Sequence, residues 1–306
     1  ADTNEEISVL TLGTWVFSGG GTWGDIAEDQ CIKTISAAID SGINIIDTAP
    51  FYGFGRSEEI VGKAVKSRRG KVLLATKCGL RMENGKILTD LSPKFIQEEI
   101  ENSLRRLKTD YIDLYQCHWP DSSTPLEATM KKLTQLQSEG KIRFIGISNF
   151  ERPLIEEAAR SARIVSLQSQ YSILDRRVES GPLPACVEST ISFLAYGPLA
   201  GGILTGKYTS PPNFKKGDAR SFFYQYYQGE KFDRVSDLLK DLKKMGHPLN
   251  QVALNWVKQQ KGVTSILVGC RNAEQVEHNV GAADWNLSST QLKTIQDAIE
   301  SLGEME

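Results

Sequence analysis

The chain has 306 residues, of which 40% are hydrophobic and 24% charged, with a formal net charge of −2. That length holds one large α/β domain or two ordinary ones with a sizeable core, and the composition excludes a disordered chain. The near-neutral balance gives no footing for nucleic acid or an anionic membrane.

In chain order, the first strand is read over 9–17 (VLTLGTWVF), followed by a helix over 28–41. The second strand, 43–47 (INIID), leads into a helix over 57–67, whose basic end KSRRGK (66–71) reads as a helix terminus and solvated loop rather than a nucleic-acid patch. The third strand is 71–77 (KVLLATK). A helix over 93–107 follows, with Ser92 as its cap and Pro93 in the first position, where proline is favoured. The fourth strand, 111–118 (YIDLYQCH), precedes a helix over 125–139 that stops at Gly140. The fifth, 142–148, is followed by a helix over 152–161; the sixth and seventh are 164–168 and 191–196. The stretch 197–263 holds a loop and two helices, with 210–232 (SPPNFKKGDARSFFYQYYQGEKF) having the mix of a functional lid or a surface loop. The eighth strand, 264–269, precedes helices over 272–282 and 289–299.

Eight apolar, β-branched runs alternating with amphipathic helices predict an α/β fold, a (β/α)8 TIM barrel, as one domain over 1–306 with the long insertion between strands seven and eight. A doubly wound sheet is the runner-up, weakened because no G-x-G-x-x-G follows the first strand. Cys31, Cys78, Cys117, Cys186 and Cys270 are widely spaced without a C-x-x-C, which predicts free thiols in a reducing compartment and no zinc site. With no apolar run of membrane-spanning length and no signal-peptide pattern, the expected location is cytoplasmic.

Catalytic groups of a barrel sit at the C-terminal ends of its strands. Strand two ends on Asp47, strand three on Lys77 and strand four on His118, and Tyr52 lies in the loop after strand two. A tyrosine is too weak an acid to exchange protons readily at neutral pH, with an ordinary pKa of about 10. A neighbouring ammonium should lower that value, a carboxylate should keep the ammonium charged, and a histidine can donate to a carbonyl oxygen. Tyr52, Lys77, Asp47 and His118 would supply those roles in protonating a carbonyl oxygen. No side chain delivers hydride, so a nicotinamide cofactor is implied.

The motifs GINIIDTAPFYGFGRSEEIVGKAV, LATKCG, DYIDLYQCHWPD, GKIRFIGISNF, FLAYGPLAGGILTGKY and VGCRNAEQVEHNVGA run through almost the whole chain. In that order they resemble the aldo-keto reductases, and most closely the bacterial stress-related and inositol-catabolism branch. The resemblance implies a (β/α)8 barrel that reduces aldehydes and ketones with NADPH, and it places the tetrad on Asp47, Tyr52, Lys77 and His118. It further implies that Ser148, Asn149 and Gln168 hold the nicotinamide carboxamide, that Tyr196 stacks on the ring, that Gly13, Thr14 and Trp15 approach the nicotinamide ribose, and that Asp47 also meets the cofactor. Trp15, Tyr52, His118 and Trp119 would line the carbonyl pocket. Gly201-x-x-x-x-Gly206-Lys207 matches a P-loop until Tyr208 stands where magnesium needs Ser or Thr, which argues against an ATPase. Gly197, Leu199, Gly201 and Lys207 instead fall where barrels bind phosphate, and the resemblance gives them the pyrophosphate. Arg271, at the start of the helix after strand eight, would grip the adenosine 2′-phosphate and favour NADPH, with Gln275 and Asn279 toward the adenine and Glu274 beside them.

Two departures stand out: ADTNEEISVL leaves little room for the hairpin that closes the barrel bottom in this family, and the loop ARSFFYQYYQGE is unusually aromatic. Its Arg220 would touch the cofactor or only the lid. The expected partner is a small carbonyl substrate, with neither nucleic acid nor membrane. The rival reading is a cofactor-binding regulatory subunit similar to the potassium-channel β-subunits, which keep the same tetrad while acting on a partner.

Overall fold

The computed structural model describes residues 3–303. Eight strands close into a parallel barrel: β1 (Leu10–Gly13), β2 (Ile45–Asp47), β3 (Leu73–Cys78), β6 (Ile112–Cys117), β7 (Ile142–Ser148), β8 (Ile164–Gln170), β9 (Ser192–Tyr196) and β10 (Val263–Gly269). Their order around the barrel is the chain order, with β10 pairing β1 to close it. The remaining two strands, β4 (Leu80–Glu83) and β5 (Lys86–Thr89), form a separate antiparallel hairpin on the rim.

The helices are α1 (Gly20–Trp23), α2 (Glu28–Asp40), α3 (Arg56–Val65), α4 (Pro93–Leu107), α5 (Leu126–Ser138), α6 (Arg152–Ser161) and α7 (Pro182–Glu188), then α8 (Ala219–Phe223), α9 (Gly229–Lys243), α10 (Leu249–Lys258), α11 (Ala273–Val280) and α12 (Ser289–Leu302). The expected barrel is present. The expected domain ends, 1 and 306, lie outside the described residues.

Strand periodicity decides which side chains reach the site. One small cluster, Ala75, Leu114, Leu194 and Leu267 with Phe144 and Val165 against it, fills the inside of the barrel. Two residues further along their strands, the same inward positions bring up Lys77, Gln116, Tyr196 and Gly269 at the C-terminal end. The alternate positions, such as Ile46, Leu74, Tyr115 and Ile266, join the large core between barrel and helices. Helix α4 starts where the sequence predicts: Ser92 Oγ accepts from Phe95 N and Pro93 is first in the helix.

Three sequence expectations are corrected. The first strand ends at Gly13, not at 17, and a 3-10 turn over Trp15–Ser18 follows. The reason is Thr14, whose N–H and hydroxyl both donate to Asp47 O, at 2.9 Å and 2.8 Å, and turn the chain over the rim while Val16 and Phe17 stay buried. The basic end of α3 is not a solvated loop throughout: Arg69 donates to Asp113 Oδ2 at 2.6 Å and to Tyr111 O at 3.0 Å. The β4–β5 hairpin was not expected. It turns at Asn84-Gly85, both at positive φ (51° and 76°).

All five cysteines are buried free thiols. Among the described residues, no helix is long and apolar enough to cross a membrane, and no group of His, Cys, Asp and Glu is arranged to hold a metal ion.

Candidate active site

Asp47 is the last residue of β2, Lys77 the last but one of β3, and His118 follows β6 directly. The barrel register sets β2, β3 and β6 side by side, so the three groups share one sector of the rim. Lys77 Nζ donates to Asp47 Oδ1 at 2.5 Å, to Thr48 O at 3.0 Å and to Tyr52 OH at 3.1 Å. The Tyr52 ring meets His118 edge-on at 5.9 Å. The four residues expected to act together do come together.

The electrostatics differ from the expectation in one respect. Burial pushes the Tyr52 phenol well above its ordinary value, and the Asp47 charge pushes it the same way. Desolvation therefore outweighs the neighbouring ammonium, and the phenol holds its proton firmly. Burial also lowers Lys77, while Asp47 in contact, and then the charge of Glu58, offset part of that. His118 is driven well below its ordinary value by burial and then by the Lys77 charge, so its imidazole is neutral at pH 7. The site is thus a protonated phenol, an ammonium behind it, and a neutral imidazole that can donate one hydrogen bond.

The second Asp47 oxygen is occupied as well. Gln116 Nε2 and Gln168 Nε2 both donate to Oδ2, at 3.1 Å and 2.8 Å. Gln168, expected to hold a carboxamide, uses its amide N–H groups within the barrel. Gln116 was not singled out in the sequence, although its place two residues after Leu114 on an inward face is the signal that finds it.

Ser148, Asn149 and Tyr196 also meet. Asn149 Nδ2 donates to Ser148 Oγ and to His118 O, both at 3.0 Å, and Tyr196 OH donates to Asn149 Oδ1 at 2.9 Å. Asn149 sits at φ 61°, a conformation asparagine tolerates. Gly13 ends β1 beside Asp47. Thr14 is fully buried, accepts from Ser57 Oγ at 2.7 Å and holds the Asp47 carbonyl, so its side chain is committed to the rim and does not face an open site. Trp15 stacks on Tyr52 with ring centroids 6.1 Å apart at 26°, and Trp119 is exposed on the rim.

After β9 the chain turns through Gly197, Leu199, Ala200, Gly201 and Gly202, with φ of 46°, 69° and 101° at the last three. Successive left-handed residues of this kind shape a concave backbone of the sort that receives anions. A Cβ at Gly202 would stand 3.4 Å from Lys207 Nζ, so the ammonium lies directly over this loop. Tyr224, from the insertion, lies on it too: a Cβ at Gly201 would meet its ring at 2.6 Å.

Arg271 precedes α11, whose cap is Asn272, accepting from Gln275 N at 2.8 Å. Its guanidinium donates to Trp23 O at 2.6 Å and Asp25 O at 2.8 Å, which uses two of its five N–H donors. Gln275 Oε1 accepts from Arg271 N, and Glu274 begins the first turn. Asn279 is buried, its amide spanning Cys270 Sγ and Asn250, so it does not present an open face with Gln275. Arg220 is held within the insertion: its guanidinium makes two hydrogen bonds to Asp218, at 2.8 Å and 2.6 Å, and a third to Tyr208 OH at 3.0 Å.

Comparison with known proteins places this geometry. The model of the Aldo/keto reductase family matches residues 9–300. The chain is 40% identical to the aldo-keto reductase YhdN of Bacillus subtilis across 98% of this chain and 92% of that protein. It is 38% identical to the NADH-specific methylglyoxal reductase of Escherichia coli, across 98% and 97%. Among solved structures, the glycerol dehydrogenase AKR11B4 from Gluconobacter oxydans superposes with a TM-score of 0.90 at 35% identity, covering 99% of this chain and 95% of that one.

Proposed function

The chain belongs to the aldo/keto reductase family, and we propose that, as one barrel domain, it reduces an aldehyde or ketone to an alcohol with NADPH, Tyr52 supplying the proton. The observation that carries this reading is the position of the Lys77 ammonium, 2.5 Å from Asp47 and 3.1 Å from Tyr52 OH.

The bound nicotinamide supplies the hydride. The rest falls to this chain's own residues. His118, neutral, donates to the carbonyl oxygen and orients it toward Tyr52. Tyr52 carries its proton until an oxygen with growing negative charge lies against the phenol. Lys77 then stabilises the phenolate left behind, and Asp47 keeps the ammonium aimed. A phenol held high while resting, with an ammonium in contact, suits a group that gives up its proton only when the accepting oxygen becomes basic.

The residues fit a dinucleotide. Ser148, Asn149 and the Gln168 oxygen would hold the carboxamide, and Tyr196 would stack on the ring. Gly13 and Trp15 would lie near the ribose. The loop from Gly197 through Leu199 to Gly201, with Lys207 over it, would hold the pyrophosphate. Arg271 retains three N–H donors for a 2′-phosphate, and Gln275 lies one turn along α11 toward the adenine. The Escherichia coli relative is named as NADH-specific, so the choice of cofactor is itself a subject of the test.

The test is oxidation of NADPH and of NADH over a panel of aldehydes, ketones, sugars and inositols. Tyr52→Phe should lower kcat by about 100-fold or more, the range of general acid catalysis, with the NADPH Kd nearly unchanged. Full activity in that variant would sink the proton-donor role. Arg271→Ala should weaken NADPH far more than NADH, and equal losses would remove the phosphate contact.

A further inference from the structure

We infer that Arg271 is a positioning residue for the carbonyl pocket, acting through the loop that carries Trp23; the location of that pocket rests on the Tyr52 reading above. Residues 18–24 read SGGGTWG, and Gly19, Gly20 and Gly24 lie at φ of 71°, 59° and 74°. A segment so rich in glycine has little conformational preference of its own. Yet it presents Trp23 edge-on to Trp15, with centroids 5.2 Å apart at 82°, and Trp15 in turn stacks on Tyr52. The order of the loop must come from outside it.

Three ties provide that order. Arg56 donates to Phe17 O and to Ile26 O, gripping the segment before and after the glycines. Asp25 Oδ1 accepts from Gly20 N at 3.1 Å. Arg271 is the side chain that, among the described residues, grips Trp23 by its own backbone, donating to Trp23 O at 2.6 Å and to Asp25 O at 2.8 Å. The Trp23 indole N–H is buried with no hydrogen-bond partner among the described residues, so its ring is not anchored by its own polar atom. The Arg220 guanidinium lies 5.7 Å from the ring, and that group is held by Asp218.

Arg271 is itself well placed to set a position. Its N–H donates to Gln275 Oε1 at 2.9 Å, and its carbonyl accepts from Gln30 Nε2 at 3.0 Å. It follows β10, which is paired with β1 at Gly13↔Gly269, so the loops after the first and last strands are neighbours. One side chain therefore links the end of the cleft where an adenosine would lie to the aromatic wall over Tyr52. Carbonyl affinity is expected to respond to Arg271 even when cofactor binding is not limiting.

The experiment measures carbonyl KM for Arg271→Ala, Trp23→Ala and the double variant, at saturating NADPH and separately at saturating NADH. Arg271→Ala should raise KM by about fivefold or more with either cofactor, the lower end of measured couplings between sites, with a smaller change in kcat. Trp23→Ala should raise KM similarly, and the double variant should be no worse than Trp23→Ala, because both act through one contact. Arg271→Lys, which keeps the charge but loses the planar two-pronged guanidinium, should fall between. Unchanged KM at saturating cofactor, or additive losses in the double variant, would overturn the inference. Acrylamide quenching of tryptophan fluorescence in the cofactor-free protein reads the tie without any turnover. Arg271→Ala should increase quenching in the native background and not in a Trp23→Phe background. If no carbonyl is turned over, the reductase reading fails while quenching still decides the tie, and quenching unchanged by Arg271→Ala overturns it.

Discussion

The Lys77 ammonium stands 2.5 Å from Asp47 Oδ1, with both side chains almost wholly shielded from water. A pair so deep in a barrel is weak evidence of stabilisation, because removing both charges from water costs several kcal/mol per ion. Its geometry is explained by what lies on the other side of the ammonium, the Tyr52 hydroxyl at 3.1 Å. In the proposed mechanism the pair is kept at a cost because proton transfer from Tyr52 needs a cation there.

That argument separates stability from activity. Lys77→Met should leave the Asp47 carboxylate buried without its partner and destabilise the fold by about 3 kcal/mol or more, while abolishing carbonyl reduction. Adding Asp47→Asn should recover most of the stability and none of the activity. Urea denaturation and NADPH oxidation on the three variants check this. Recovery of activity in the double variant would show that the cation is dispensable.

Gln116 gives a prediction about orientation alone. Its amide is one of two donors on Asp47 Oδ2, and it also accepts from Gln168 at 3.4 Å. Gln116→Met keeps the volume and removes the donor. We expect kcat to fall by about tenfold, as for the loss of a hydrogen bond to a charged group worth about 1.5 kcal/mol, with cofactor Kd unchanged and a displaced pH profile. A wild-type kcat with an unmoved profile would mean that Gln168 alone holds Asp47.

The barrel and the meeting of Asp47, Tyr52, Lys77 and His118 were legible because they depend on strand periodicity and strand ends, which are local features. Asp47, Lys77 and His118 each close an apolar run, and closing eight such runs into one ring leaves little freedom in where they meet. What was not legible depends on contacts between distant segments. The place of Gln116 two residues after Leu114 marks it as inward-facing, but its bond to Asp47 is not visible until the two strands are set in one ring. Thr14 reads as part of a strand until its hydroxyl is seen to hold the Asp47 carbonyl, and Asn279 reads as turned with Gln275 toward the adenine until Asn250 and Cys270 are packed against it. The sign of the Tyr52 shift was missed for a physical reason: sequence reveals a neighbouring ammonium but not the burial that outweighs it. The β4–β5 hairpin had a signal in Asn84-Gly85, but its second strand is exposed along its whole length, so no apolar run marked it.

Gly62 tests how α3 and α4 pack. A Cβ there would stand 2.6 Å from the backbone carbonyl of Leu107, a contact that requires the helices to move apart. Helix propensity alone would favour Gly62→Ala by about 1 kcal/mol. Overpacking against rigid backbone costs about 1–3 kcal/mol, so we expect a net loss of stability. A variant more stable than the parent in thermal or urea unfolding would show that α3 can shift freely. Such a shift would also disturb Glu58, whose Oε2 accepts from Arg106 Nε on α4 at 2.6 Å.

Glu99 predicts how stability varies with pH. It lies buried behind β3, with Oε2 accepting from Gly79 N at 2.7 Å. Burial pushes its carboxyl from 4.5 up to about 8; the Gly79 N–H and the Arg106 charge oppose that shift, while the charges of Glu58 and Asp90 add to it. Between these two values the folded chain keeps the proton and the unfolded chain releases it. Unfolding is therefore favoured as pH rises, and the contribution of Glu99 falls by about 1 kcal/mol per pH unit across that window before levelling above pH 8. Glu99→Gln keeps an acceptor for Gly79 N and removes the titration. The variant should match the parent near pH 5 and exceed its stability increasingly toward pH 8, as read by urea unfolding at each pH. Parallel stability curves for parent and variant would show that Glu99 is ionised in the fold, and that Arg106 and the Gly79 N–H together outweigh its burial.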